Sequence, residues 1–145
     1  MSLDPESDFV RAAIAALKVD ARMTALCGGR VYDRVPQKVA GERGVQMPYV
    51  SIGPISSADD SADCIDGVEM SVQFDVWARA DADANVATTC RALCEAIRRV
   101  LHDAELVLAD NRLASVAFER KSIFDDPDGI TRHGVVQFLA VVETA

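Results

Sequence analysis

Thirteen consecutive residues, VEMSVQFDVWARA at 68–80, alternate apolar and polar side chains almost without a break. In an extended chain Met70, Val72, Phe74 and Val76 fall on one side. Ser71, Gln73, Asp75, Trp77 and Arg79 fall on the other. A stretch of this kind predicts a long strand with one face against a core and one face outward, and it requires neighbouring strands.

The period then changes. Val86, Cys90, Leu93, Cys94, Ile97, Val100 and Leu101 recur at helical spacing over about four turns, with Asp83 as the expected cap and Arg91, Arg98 and Arg99 off the apolar stripe. LASVAFERKSIF (113–124) and GITRHGVVQFLAVVE (129–143) predict two further strands, joined by the turn DDPDG. Towards the N-terminus, Asp4-Pro5 starts a helix over 5–18, carried by Phe9, Val10, Ala13, Ile14 and Leu17. A short helical turn, DARMTALC, stops at Gly28-Gly29. RVYD (30–33) and MPYVSIGPI (47–55) predict strands, 34–47 a loop and 57–67 an acidic loop. The order α-β-β-β-α-β-β implies an α+β fold, one mainly antiparallel sheet with helices packed on one face. No linker divides the chain, so residues 1–145 are expected to form a single domain.

The stretch ALCGGRVYDRVPQ (25–37) invites comparison with a phosphate-binding loop, but no Gly-Lys follows the glycines, so it predicts a helix stop leading into a strand. DADAN (81–85) imitates half of a calcium loop, yet Val86 and Ala92 stand where glycine and glutamate are needed. The cysteines, Cys27, Cys64, Cys90 and Cys94, form no CxxC pair, and two histidines, His102 and His133, give no zinc spacing. His102 ends the long helix, where a cation would meet the negative end of the dipole. Nothing selects a catalytic residue, a cofactor or a metal. Net charge is −8, from 23 acidic and 15 basic side chains, which argues against sequence-specific nucleic-acid binding. Apolar runs are too short for a membrane span, and MSLDPESDF lacks the features of a secretory leader, so a soluble, cytoplasmic protein is expected.

LCGGRVYDRVPQ, MPYVSIG, FDVWAR and FDDPDGITRHGVVQFLAVVE follow one another in this order, with a long helix before the last hairpin. The set resembles the tail-completion or tail-terminator proteins of long-tailed bacteriophages and related gene-transfer particles, over roughly residues 7–143. The resemblance implies a structural protein of the virion tail that forms a six-membered ring on the tail tube. That ring would stop tube growth, meet the head connector protein and let DNA pass through its hole. It implies no catalytic residue. The stretches 34–47 and 56–67 then read as arms that order on assembly. Trp77 and Arg79, on the outward strand face, are candidate contact residues, unless Trp77 is covered within its own subunit. Arg30, Tyr32 and Asp33 either touch a partner or fix the first strand. Arg132 and His133 either touch a partner or hold the last turn. Asp59, Asp60, Asp63 and Asp66 would line a channel that repels DNA, or stand as plain solvated loop residues. A different neck or connector adaptor, or a small enzyme or ligand-binding domain with a deep pocket, are the other readings.

Overall fold

The computed structural model describes residues 3–37, 44–80 and 84–144. Its elements are α1 (Pro5–Val19), α2 (Ala21–Cys27), β1 (Val31–Tyr32), β2 (Tyr49–Asp59), β3 (Gly67–Arg79), α3 (Val86–Leu101), β4 (Arg112–Asp125) and β5 (Thr131–Glu143). The strands form one sheet in the order β1-β2-β3-β5-β4. β1 runs parallel to β2, and the other pairings are antiparallel. The α+β expectation is met.

Each helix begins where the local chemistry provides an acceptor for its free amides. Asp4 accepts from the Ser7 N–H at 2.8 Å ahead of Pro5. Asp20 ends α1 and starts α2, accepting from the Arg22 and Met23 N–H groups at 3.0 Å. The expected short turn is thus a seven-residue helix in its own right. Gly28 (φ 62°) and Gly29 (φ 77°) take the left-handed conformation that ends it, and the Arg30 side chain donates to the Pro48 carbonyl at 3.0 Å. The glycine pair is a helix stop, as its sequence predicts.

One face of the sheet meets all three helices. Phe9, Ala13 and Leu17 of α1, Met23 and Cys27 of α2, and Cys90, Leu93, Cys94, Ile97 and Leu101 of α3 form a single buried cluster. Met70, Val72, Phe74, Val76, Val136, Phe138, Ala140 and Val142 complete it from the strands. The even-numbered residues of β3 and β5 therefore point to the helices, and the odd-numbered ones point away. Phe74 and Phe138 meet edge to face at 5.6 Å.

α1 is also fastened at long range. Asp8 is buried, and its carboxylate accepts from the N–H groups of Ala109, Asp110 and Asn111 at 2.8–2.9 Å and from the Asn111 side chain at 2.9 Å. Burial pushes its pKa up more than any other single influence. Those donors together outweigh it and hold the group below the ordinary carboxylate value.

Several expectations need correction. The acidic stretch is not a loop: β2 runs on to Asp59, past an irregularity between Ile52 and Ile55 that absorbs Gly53 and Pro54. The Asp60 N–H then donates to the Gly67 carbonyl, and Ala62 and Ile65 exchange backbone bonds of 2.9 and 3.0 Å. The stretch 56–67 is accordingly a hairpin tip with its own ladder, not a loose arm. At the end of α3, His102 Nδ1 accepts from the Phe118 N–H at 2.9 Å, so the ring ties the helix end to β4. Asn85 occupies the cap position of α3. The proposed cap Asp83, like residues 38–43 of the expected 34–47 arm, lies outside the described residues.

Candidate interaction surface

The sheet face away from the helices carries a row of aromatic rings set by strand register. Tyr49 pairs with Trp77, Trp77 with His133, and His133 with Phe124. Rings on adjacent strands at matched positions come within contact distance. The His133 imidazole lies flat on the Trp77 indole, with centroids 3.8 Å apart and planes 10° off parallel. Phe124 meets His133 edge-on at 4.8 Å, and Tyr32 meets Tyr49 at 6.1 Å. The row crosses every strand of the sheet.

Beneath the rings lies a polar anchor. His133 Nε2 donates to Asp75 Oδ1 at 2.7 Å, and the Gln73 side chain donates to the same oxygen at 2.9 Å. Gln137 donates to Gln73 at 3.3 Å. The Asp75 carboxylate presses against Gly53, where any side chain would collide with it. Burial, then the nearby Asp75 and Tyr32 groups, raises the Tyr49 pKa, so the phenol keeps its proton. The network orients a ring and leaves an aromatic strip on the surface. Among the described residues, no three His, Cys, Asp or Glu side chains are placed to hold a metal ion.

Of the residues singled out from sequence, the structure brings Trp77, His133 and Tyr32 into this row, with Arg79 two residues beyond Trp77 on the same face. Arg132, next to His133 in sequence, points to the other face and pairs with Asp125 at 2.6 Å at the foot of the last hairpin. That hairpin's turn is closed chiefly by Asp128, which accepts from the Ile130 and Thr131 N–H groups. Arg30 braces the start of β1 through Pro48, and Asp33 lies in a groove beside Ser7, Val10 and Arg11 of α1. Asp59, Asp60, Asp63 and Asp66 lie at the far end: Val68, the partner of Asp59, is nine residues from Trp77, about 30 Å along the strand.

Sequence reasoning missed the roles of Asp75, Tyr49, Phe124 and Gly53. Asp75 was visible on the outward face, but only the pairing of β3 with β5 puts His133 beside it. The chain has one tryptophan, so the stack can be read directly. His133→Ala should shift Trp77 emission to the red and lower stability by about 1 kcal/mol. Unchanged emission would mean that the rings do not stack.

No helix of the described residues is long and apolar enough to cross a membrane. No curated protein sequence matches the chain. A chain in a solved structure of the virion of a native gene transfer agent particle is similar to it at 30% identity and a TM-score of 0.81, over 98% of this chain and 99% of that one. The family model described as Tail completion protein gp17 matches residues 11–143, which is nearly the whole described fold. The chain belongs to this family of tail completion proteins.

Proposed function

We propose that the protein assembles as a ring of six like subunits on the last ring of the tail tube, stops tube growth and presents its opposite surface to the head connector. Assembly takes place in the cytoplasm of the producing cell, and the protein leaves in the virion tail. DNA passes through the opening without being read. The observation that carries this reading is the sheet face that none of the three helices covers. Its aromatic row is anchored from beneath by the Asp75 network, and Trp is enriched among residues that dominate binding energy. A protein that works by surface contact needs such a face. The structural role that the family name states supports the same conclusion.

Electron microscopy of particles from a producing strain lacking this gene tests the reading. Overlong tails, or heads and tails that fail to join, are expected, and restoring the gene should cure them. Normal particles would overturn it. Trp77→Ala in the restored gene should reduce complete particles by roughly tenfold or more, as loss of a contact worth at least about 1.4 kcal/mol would.

A further inference from the structure

β4 is the long free edge of the sheet, and its first part is closed by its own chain. The Phe118 N–H donates to His102, and the Val116 carbonyl accepts from the Asp103 N–H, both at 2.9 Å. Beyond the irregularity at Phe118/Arg120, no backbone group of the described residues bonds to this edge from outside. Which groups face outward follows from one bond. The Asp126 N–H points inward, to the Thr131 carbonyl. By alternation Arg120, Ser122 and Phe124 also bond to β5, while Lys121, Ile123 and Asp125 turn their N–H and C=O groups outward. Such a row on a free edge is a template for another strand.

The open stretch reads RKSIFDD at 120–126, basic at its start and acidic at its end. Run antiparallel against itself, it is complementary in charge. Pairing about a two-fold axis must match outward residues with outward ones, so the axis falls on a residue and few registers are possible. An axis at Lys121 sets the two lysines face to face, and one at Ser122 sets Glu119 against Asp125. An axis at Phe124 sets Lys121 against Pro127, which has no N–H to give. An axis at Ile123 sets Lys121 of one copy against Asp125 of the other on the helix side of the sheet. It sets Arg120 against Asp126 on the opposite side. Asp125 holds Arg132 of its own chain through one oxygen and is exposed, so its other oxygen is available.

We propose that free subunits pair edge to edge through residues 120–126, antiparallel about a two-fold axis at Ile123, so that one sheet runs through both copies. The contact supplies on the order of six backbone hydrogen bonds and four ion pairs. Phe124, 48% exposed in the single chain, then faces Ser122 of the second copy. It lies diagonal to its own counterpart, within reach of an aromatic ring, so the two aromatic rows meet across the axis. This pair is a state of the unassembled protein. It goes beyond the ring reading and does not depend on it. It covers an edge that would otherwise recruit strands at random, and its ion pairs weaken with added salt.

Sedimentation velocity of the purified full-length protein over a wide range of concentration tests this. The parent should show a monomer–dimer equilibrium. Lys121→Glu and Asp125→Lys each set like charges opposite one another at both 121–125 pairs, and each should raise the dimer dissociation constant by roughly tenfold. Mixed in equal amounts, the two variants again have opposite charges at both pairs, and dimer should return to the parent's level. Lys121→Pro removes an outward N–H that β5 does not use, and should abolish the dimer. Lys121 and Asp125 are exposed, so unfolding midpoints of the two charge variants should match the parent. Should Lys121→Pro fail to fold, the mixing experiment decides alone. A parent that stays monomeric at every concentration would overturn the inference, as would a dimer that neither charge variant weakens. A mixture that stays monomeric would overturn it too, because only the antiparallel two-fold register predicts recovery. None of these outcomes bears on tail length in the deletion strain, so the ring reading stands or falls separately.

Discussion

Asp8→Ala is expected to lower stability by about 3–4 kcal/mol, because three backbone N–H groups and an amide lose a charged acceptor inside the protein. For a chain of 145 residues that corresponds to a fall in unfolding midpoint on the order of 10 °C. Asp8→Asn should be nearly as harmful, since its NH2 group would face donors. The same carboxylate sets an acid limb. Its folded-state pKa lies below the value for an ordinary Asp. Its contribution is therefore full above the ordinary value, near pH 4, and is lost as pH falls from there through the folded-state value. Denaturant titrations at descending pH should show the parent losing stability over this window, with a shallower loss in Asp8→Ala. Parallel pH profiles would show that Asp8 is not the group responsible.

The second large effect lies at Gly134. A methyl group there would stand 2.6 Å from the Cys94 sulfur, 3.2 Å from Cys90 and 3.3 Å from Val76, all buried. α3 lies on β5 with no slack at this point, so Gly134→Ala should cost about 2–3 kcal/mol by overpacking. Cys94→Ala alone leaves a small void and should cost about 1–2 kcal/mol. The double variant should be close to Cys94→Ala alone, because the new methyl group takes the space of the missing sulfur. A double-mutant cycle by denaturant unfolding measures this. Simple additivity would mean that the two groups do not collide.

Much of the architecture was legible because it depends on local period and local chemistry. The alternation through Met70, Val72, Phe74 and Val76 gave β3 and its buried side, and the stripe from Val86 to Leu101 gave α3. Asp4-Pro5 and DDPDG marked a start and a turn that stand where expected. The hairpin tip was missed because Ser and Asp carry no strand preference of their own. There the ladder with β3 outweighs propensity. The site was legible only by halves. Trp77 could be picked out by type and face, but its partner His133 is 56 residues away, and the sequence leaves that residue's role open between a contact and the last turn. Asp8 gave no signal, since its partners lie more than a hundred residues downstream.

β5, the last strand in the sequence, lies in the middle of the sheet between β3 and β4. During synthesis, β3 and β4 must therefore wait with open edges until residues 131–143 have left the ribosome. Their two longest pairings form only with the final strand, so folding is slow to begin and completes late. A chain that stops before β5 lacks the strand that joins β3 to β4, and neither of those long pairings can form.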